Sequence, residues 1–392
     1  MAHYHTTTSF RLVQLSREDL ILQCKRDDYE VWGAPDLTMA EYQAEEMLQR
    51  QTAHSQRGLI VWGLVIDRHP LASSSSFGAE IDMSDDDLIT EQDAIVCHCE
   101  SHTFDCLLRK PSGDVVRGSS FHINAVYTLP EYRKQGLASY FLKQVTLQLS
   151  RLENAVASVL FSDIGPTFYE RLGWQVHRST EASVDVVASR NFEIDNNDLS
   201  RSGHNNVSPL FLDQELDVLL AHEHSRTESC LQQLDEKQRE VFAALPTREC
   251  LEWQFCSGVL HAFVRQYAVS PTQCGVTVGG RHHDLGLFLW AHDLRASTLY
   301  ILYASIPDDA PGVALRLLRE ALDEAHRFGL RHIEVWDPPA VLAHPHVTRH
   351  VSIAFCDRDD ALSSLLVFKH ARDDPNSNVR PKWLHNERFA WV

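Results

Sequence analysis

The sequence predicts an α/β (α+β) protein whose mixed central sheet is flanked by helices. Two observations support this class. In the first half, apolar strand-like runs alternate with amphipathic helical segments, and the second half again shows strands, one long helix and a further strand. The length of 392 residues favours two domains. We therefore predict a first domain at 1–188, a linker at 189–209 and a C-terminal α/β domain at 210–392 that is a degenerate copy of the first.

Periodicity and turn residues define the elements of the first domain. Leu137, Phe141, Val145 and Leu149 recur at i+4 spacing and predict one face of a helix. Polar, serine-rich and acidic composition at 69–87 indicates a loop. In chain order we expect a helix at 36–51, strands at 58–66, 94–109 and 119–128, a helix at 133–152, a strand at 157–163 and a short helix at 166–174.

The second domain follows a stretch, 189–209, that is rich in Asn, Asp and Ser and shows little periodicity. Such composition is typical of a linker. Beyond it we expect helices at 212–222 and 228–242, strands at 258–267, 285–292 and 298–305, a strongly amphipathic helix at 311–328 and a strand at 332–336.

Composition argues against several classes of function. The formal net charge of −18 disfavours nucleic acid and anionic membranes as partners. No apolar run has transmembrane length, and the N-terminus "MAHYHTTTSF" has no apolar signal-peptide core. Of nine cysteines, Cys97, Cys99 and Cys106 form the one local group, and their strand-like setting favours buried free thiols over a metal site. We therefore predict a soluble, cytoplasmic protein without a metal.

The stretch "YTLPEYRKQGLASYFL" begins like a strand and ends like a helix. At a helix start several backbone N–H groups have no intrahelical partner and lie at the positive end of the helix dipole, where phosphate groups bind. Gly136 permits close backbone approach, Ala138 keeps the next turn slim, and Arg133 and Lys134 add positive charge. The pattern predicts a pyrophosphate site at 133–139, with an ordinary helix start as the alternative.

Two segments, "VYTLPEYRKQGLA" and "ASVLFSDIGPTFYERLGW", resemble motifs A and B of the GNAT superfamily of acetyl-CoA-dependent N-acetyltransferases. The resemblance covers residues 10–185 and implies a GNAT-type sheet with acetyl-CoA as cosubstrate. It implies that a strand diverging from its neighbour binds the pantetheine arm and that Tyr169 protonates the departing thiolate. A phenol in hydrogen-bond reach can do so, although a packing aromatic is the alternative.

The cofactor-binding residues implied by this resemblance belong to one strand end and the loop that follows. They are Val126, Tyr127, Thr128, Arg133, Lys134, Gln135, Gly136, Leu137, Ala138 and Ser139.

These segments, together with the terminal "WLHNERFAWV", are most similar to the fungal L-lysine N6-acetyltransferase family. That family acetylates the side-chain amine of free lysine, an entry step of lysine degradation. The resemblance implies an acetyl-CoA-binding catalytic domain at 1–188 and a degenerate GNAT-like domain at 210–392 that contributes to the substrate site. The implied partner is a small-molecule amine, L-lysine, with no nucleic acid or membrane, and the expected cosubstrate is acetyl-CoA.

The residue that deprotonates the amine stays open at this stage. Many superfamily members place a glutamate on the strand before the loop, but "GSSFHINAVYT" has no carboxylate. His122 is the one ordinary base in that strand, with a packing histidine as the alternative. Asp163 could relay a proton or bind the ammonium, or else cap the helix at Pro166. The terminal carboxylate of Val392 is a third candidate.

Two other functions remain compatible with the sequence. Within the same enzyme class, the substrate could be another amine, such as a polyamine or a peptide amine. In a different class, the protein could be a CoA-binding sensor without catalysis, since the strand lacks the usual glutamate.

Overall fold

A computed structural model describes residues 9–67, 89–90, 93–189, 206–235, 239–279, 286–369 and 379–392. The predicted loop at 69–87 and most of the predicted linker lie outside the described residues. The described strands are β1 (Ser9–Leu15), β2 (Ile60–Asp67), β3 (Ala94–Arg109), β4 (Val115–Thr128), β5 (Ala155–Ser162), β6 (Gln175–Val176), β7 (Thr180–Asp185), β8 (Val207–Leu210), β9 (Val241–Ala244), β10 (Gly275–Val278), β11 (Gly286–Asp293), β12 (Thr298–Ser305), β13 (His332–Trp336), β14 (Ile353–Asp357), β15 (Leu362–Val367) and β16 (Lys382–Leu384).

Helices cover the faces and ends of the sheets. They are α1 (Glu18–Trp32), α2 (Met39–Gln51), α3 (Ala53–Gly58), α4 (Leu137–Leu149), α5 (Thr167–Glu170), α6 (Gln214–Gln233), α7 (Arg248–Val264), α8 (Pro311–Arg327) and α9 (Pro345–Thr348), with 3-10 turns at Pro130–Tyr132, Ala340–Ala343 and Arg388–Ala390. Among these, no helix combines the length and the apolar composition that crossing a lipid bilayer requires.

The described strands form two mixed sheets that share one motif. In the first sheet β3 pairs antiparallel with β4, and β5 returns parallel to β4 after α4. In the second sheet β11 pairs antiparallel with β12, and β13 returns parallel to β12 after α8. The predicted α/β class and the GNAT-like repeat in the second half are therefore confirmed.

The two sheets exchange strands. β7, from the first half of the chain, lies between β13 and β14 in the second sheet. β15, from near the C-terminus, pairs with both β5 and β6 in the first sheet. β9 and β16 also extend the first sheet, because β9 pairs with the end of β3. The boundary predicted at 189–209 stays a prediction, but the hydrogen-bonded sheets do not divide there.

Three of the five apolar clusters among the described residues connect the elements named above. α4 packs on the first sheet through Phe141, Leu142 and Val145, and α8 packs on the second through Leu317 and Leu318. A third cluster lies between the halves and joins β5 to residues of α7, β11 and the C-terminal segment. The predicted thiols Cys97, Cys99 and Cys106 are buried and free, as expected.

Several element predictions are correct and three are wrong. The strands at 94–109, 298–305 and 332–336 have the predicted bounds. Residues 258–264 of the predicted strand at 258–267 instead belong to α7, and residues 265–267 follow the helix. The predicted helices at 212–222 and 228–242 are one helix, α6, followed by β9. The helix predicted from residue 133 begins at Leu137, after a turn.

Candidate active site

The parallel pairing between β4 and β5 ends inside the sheet. The last paired residues are Ile123 and Leu160, although β4 continues to Thr128. Along its other edge β5 pairs with β15 over residues 157–162, and β4 keeps β3 as its neighbour. Ala125 has a φ of 48° at the place where the β3–β4 register shifts. The strands therefore diverge, and the β5-facing edge of Val126–Thr128 has no strand partner among the described residues.

The turn between β4 and α4 presents unbonded amides. Gly136, with φ of 81°, caps α4 in the left-handed region, and no side chain caps the helix. Within the described chain, the N–H groups of Lys134–Ser139 have no hydrogen-bond acceptor, and the first bonded amide is that of Tyr140, which donates to the Gly136 carbonyl at 3.1 Å. A Cβ at Gly136 would have nothing within 4 Å. Such an open row of amides at a helix start suits an anion.

Arg133 differs from the rest of the predicted loop. Its amide donates to the Pro130 carbonyl at 3.3 Å, so this N–H is not available to a phosphate. Its side-chain Nε donates to the Thr128 carbonyl at 2.8 Å, and the guanidinium lies 5.2 Å from the centre of the Tyr127 ring. Arg133 therefore fixes the strand end to the loop, and its charge stays beside the amides of Lys134–Ser139.

Tyr169 lies on the opposite side of the gap. The side chain is 8% exposed and lines the cleft, with its ring edge-on to Phe168 at 5.0 Å and to Trp174 at 6.2 Å. Burial raises the pKa of its hydroxyl, so the phenol stays protonated at neutral pH. Because its hydroxyl donates to no described residue, the proton is available to a ligand.

Asp163 also lines the cleft, at the end of β5. Its Oδ1 accepts a hydrogen bond from the Ala361 amide at 3.1 Å, and the helix that starts after Pro166 has no side-chain cap. Burial raises the pKa of this carboxyl group, against a smaller opposing effect of the Ala361 hydrogen bond. The capping alternative is therefore not what the structure shows, and the side chain remains beside the gap.

His122 lies elsewhere. It is fully buried, stacked on Phe104 at 3.9 Å, and does not line the cleft. Its Nδ1 is 2.7 Å from the Ala390 carbonyl and its Nε2 is 3.0 Å from the Ser120 hydroxyl. Burial lowers its pKa to about 3. Since both ring nitrogens are engaged away from the cleft, the geometry does not support His122 as the base, and the residue instead holds the C-terminal segment against β4.

The gap opens into a cleft of about 720 Å³ between the two sheets. One face of α2 lines it with side chains at i, i+3, i+4 and i+7, and α7, β11, β12 and the C-terminal segment complete the walls. The polar residues contributed by α2 and α7 are Glu45, Glu46, Gln49, Arg50, Gln254, Ser257 and His261. Both halves of the chain therefore build the site, and Trp391 and Val392 lie in its lining.

Most charges in the lining are already paired. Lys25 Nζ lies 2.6 Å from Glu46 and 3.2 Å from Glu100, and Arg50 lies 3.3 Å from the same Glu100 oxygen. Burial opposes ionisation of Glu100, but Lys25 and its other neighbours outweigh this and hold the pKa of Glu100 well below its usual range. This group is a structural network, since a carboxylate held ionised by two cations is a weak base.

A second pair, Glu45 and His261, connects α2 to α7. Glu45 Oε2 lies 3.4 Å from His261 Nε2, and both side chains are buried. Burial opposes ionisation of Glu45, but contact with His261 and the charge of Arg295 lower its pKa. The pair therefore places an ionised carboxylate in the cleft wall, where it can attract an ammonium group.

Comparison with protein families decides the classification. Residues 191–392 match the family described as LYC1 GNAT-like C-terminal domain, which is more than half of the chain. Residues 81–177 match the Acetyltransferase (GNAT) domain. The chain therefore belongs to the GNAT family whose model covers residues 191–392. Among curated proteins no match was found.

Solved structures with the same fold support the GNAT architecture. A GCN5-related N-acetyltransferase from Kribbella flavida superposes with a TM-score of 0.52 at 14% identity, covering 92% of this chain and 71% of that one. The GCN5-related glucosamine N-acetyltransferase region of a fungal multi-domain GH3 beta-N-acetylglucosaminidase gives 0.52 at 9% identity, covering 93% of this chain and 38% of that one. At these identities the likeness concerns the fold alone.

Several residues of this GNAT cleft were not predicted. The strained Ala125 and the α2 face with Glu45 carried no recognised motif, and Arg388 was given no role although it lies in the terminal segment used for the family resemblance. The α2 face had one usable signal, because its carboxylates share a helical stripe with Tyr42, a buried aromatic. Arg388 lies among aromatic residues in "ERFAW", a signal too short to specify a site.

Proposed function

We propose that this GNAT protein transfers the acetyl group of acetyl-CoA to the side-chain amine of free L-lysine. The observation that carries the transfer step is the meeting of three features at one cleft: diverging strands, unbonded loop amides and a protonated Tyr169. The lysine assignment draws support from the description of the C-terminal family and from the resemblance to fungal L-lysine N6-acetyltransferases. In that family the reaction is an entry step of lysine degradation.

The loop and the strand edge are suited to acetyl-CoA. The unbonded N–H groups of Lys134–Ser139 can bind a pyrophosphate, with Gly136 leaving space for its oxygens. The edge of β4 at Val126–Thr128 can exchange backbone hydrogen bonds with the amides of the pantetheine arm. Together they would direct the thioester into the gap between β4 and β5.

Asp163 is the residue we assign to the removal of the amine proton, directly or through water. A lysine ammonium has no lone pair, so it must lose a proton before it can attack. The second carboxylate oxygen of Asp163 accepts no hydrogen bond from a described residue, and burial raises the pKa of the group. A raised pKa makes this carboxylate a better proton acceptor than an exposed aspartate.

Tyr169 completes the transfer. The neutral amine nitrogen bonds to the thioester carbon, the nitrogen gives up its second proton to solvent water, and the C–S bond breaks. The departing thiolate takes the phenol proton, which Tyr169 regains from solvent. The carboxylates on α2 would attract the ammonium groups of the substrate while both walls exclude water from the thiolate. No metal enters this scheme.

The amine substrate is tested by initial rates of thiol release with L-lysine, ornithine, spermidine and a lysine-containing peptide. We expect L-lysine to give the highest kcat/KM, with mass spectrometry showing one acetyl group on the side-chain nitrogen. Equal rates on all four amines would defeat the lysine assignment while leaving acetyl transfer intact. Binding of acetyl-CoA with no turnover on any amine would favour the non-catalytic alternative.

Tyr169→Phe tests the proton donor. We expect kcat to fall about a hundredfold, within the range for loss of a general acid, with the Kd for acetyl-CoA unchanged within twofold. Tyr303→Phe is the matched control, because this buried tyrosine donates to Glu223 at 2.9 Å and does not line the cleft. A Tyr169→Phe variant with wild-type kcat would remove the phenol from the mechanism.

A further inference from the structure

Arg388 occupies an unusual place in the cleft wall. It begins the 3-10 turn Arg388–Ala390, and only 8% of its surface is exposed. The guanidinium carbon lies 3.7 Å from the ring centre of Tyr300, 4.3 Å from that of Trp391 and 4.5 Å from that of Trp336. Three aromatic rings therefore enclose a cation that lines the site.

Among the described residues no anion is in contact with this cation, although the charges of Asp293, Glu334 and Asp360 act on it from a greater distance. Within the described part of the chain, no residue accepts a hydrogen bond from the Arg388 side chain and no carboxylate lies within ion-pair distance. Its Nε is fully buried without an acceptor. A guanidinium carries five N–H donors, and an unpaired buried charge is costly. Ring contacts with the guanidinium offset part of this cost, but they leave its N–H donors without hydrogen-bond acceptors.

Arg358 shows that this is not the general condition of a buried arginine here. It is 7% exposed and lies 3.5 Å over the same Trp336 ring. Yet it donates to the Ala361 carbonyl at 2.8 Å and to the Ser363 hydroxyl at 3.4 Å, and it lies outside the cleft lining. Both arginines have a buried Nε without an acceptor, but Arg358 donates from its two terminal nitrogens to protein oxygens. Arg388 makes no such bond to a described residue, and of the two it is the one that lines the cleft.

The cations elsewhere in the lining do not compete for the same role. Lys25 and Arg50 are bound to Glu100, and the side chain of Arg133 donates to the Thr128 carbonyl. Arg295 is half-buried, so water can reach it. Arg388 is thus the buried cation of the described lining whose donors have no partner.

The position of Arg388 is fixed, and it is near the gap. His122 Nδ1 holds the Ala390 carbonyl at 2.7 Å, and the Gln254 carboxamide donates to the carbonyl groups of Arg388 and Trp391. Trp336 lies 5.8 Å from Phe161, a β5 residue that lines the cleft where β5 leaves β4. A ligand can therefore reach both the guanidinium and the diverging strands.

We infer that Arg388 binds the carboxylate of the amine substrate, so that the cleft selects an amino acid over a simple amine. This inference rests on the proposed function and specifies the substrate class of the same site. A carboxylate matches the paired N–H donors of a guanidinium, and a preorganised cation in a site shielded from water gains most from such a partner. The three enclosing rings restrict the orientation of the guanidinium group and of its paired N–H donors.

The test compares L-lysine with 1,5-diaminopentane, which keeps the side-chain amine and lacks the carboxylate. Calorimetry on CoA-saturated protein gives binding of each amine, and thiol release gives turnover, for wild type, Arg388→Met and Arg388→Lys. We expect Arg388→Met to weaken L-lysine binding about a hundredfold and raise KM to match, because a buried charge partner is lost. Its kcat/KM for 1,5-diaminopentane should stay within about threefold of wild type.

Arg388→Lys keeps the charge without the fork, and we expect it to recover part of the L-lysine affinity. Arg178→Met is the control for the same substitution at a surface site, since its side chain is 80% exposed. Thermal unfolding checks that each variant is folded.

The outcomes separate the inference from the function it rests on. Acetylation of L-lysine with an unchanged preference over 1,5-diaminopentane in a folded Arg388→Met would overturn the carboxylate role alone. Absence of turnover on either amine by wild type would contradict the proposed function, and the calorimetry would still decide Arg388. If L-lysine binds to wild type and Arg388→Met abolishes this binding, the carboxylate role is supported. If wild type does not bind L-lysine, or if Arg388→Met leaves the binding unchanged, the role is contradicted.

Discussion

The helices α4 and α8 follow corresponding strands in the two halves, yet they begin in opposite ways. α4 starts after a left-handed glycine, with unbonded amides and the basic residues Arg133 and Lys134 before it. α8 starts with Pro311, which has no N–H, after Asp308 and Asp309. An anion is attracted to the first helix start and repelled by the second.

The backbone hydrogen bonding around the two helix starts differs as well. At α8 the amides of Val313 and Ala314 both donate to the Ala310 carbonyl, and Val313 is buried in the second core. At α4 the amides of Lys134–Ser139 are unbonded in the described structure. The repeated ββαβ motif thus conserves shape in both halves, whereas the chemistry for a phosphate is present in one of them.

Substitution of the glycines at the two helix starts should give the largest difference in acetyl-CoA affinity between the halves. We expect Gly136→Val to weaken acetyl-CoA binding about thirtyfold, because a β-branched residue disfavours the left-handed conformation and obstructs the amides. Gly312→Val, at the start of α8, should leave binding within twofold, since its Cβ would also meet open space. Calorimetry measures both, and equal losses would show that the halves share the cofactor.

We expect acid to lower the free energy of unfolding through the buried histidines of the first sheet. His98 of β3 is 2% exposed, and burial lowers its pKa to about 3, whereas His292 of the second sheet lies 2.9 Å from the Glu324 carboxylate. Between pH 6.5 and about 3 the unfolded chain binds a proton at His98 that the folded protein does not. Its contribution is complete above pH 6.5 and is lost as pH falls, by about 1.4 kcal/mol per pH unit.

His98→Phe removes this dependence. Denaturant unfolding at pH 7.5 and pH 5.5 should show a smaller loss of unfolding free energy for the variant than for wild type. The pH 7.5 measurement is the internal control, because packing changes appear there without the protonation effect. An identical loss in both proteins would mean that His98 is not part of the acid response.

Reversal of single charges at the helix starts should give the smallest effect. Lys134 and Asp309 are both exposed, so solvent screens them. We expect Lys134→Glu to weaken acetyl-CoA binding about threefold at low salt, in line with ~0.3–1 kcal/mol for a charge near a helix end. Asp309→Lys should leave the affinity unchanged. A salt titration checks the electrostatic origin, and a loss that persists at high salt would argue for another cause.

The sequence was sufficient where the signal is local. β3, β12 and β13 were predicted with their observed bounds, because apolar runs between turn residues define them. The run "GVLHAFVRQY" was predicted as a strand, but residues 258–264 are helical, since a short apolar run with β-branched residues fits both states until its packing is known. The strand exchange depends on partners far apart in the chain, for which no local pattern exists.

The candidate site shows the same difference between residues with a local sequence signal and residues placed by long-range folding. The segment Val126–Thr128, the amides after Arg133 and Tyr169 lie around one cleft, and these came from contiguous motifs. The role suggested for His122 depended on which way its side chain faces, and only the fold places it against Ala390. Arg388 enters the site because the C-terminal segment returns between the sheets, a long-range event that the short "ERFAW" does not encode.

The crossing of β15 into the first sheet has a consequence during synthesis. On the ribosome, the edge of β5 emerges long before Leu362–Val367, the segment that covers it. A nascent chain of the first half alone would expose that edge to other polypeptides. Completion of the first sheet must therefore wait until Leu362–Val367 has been translated.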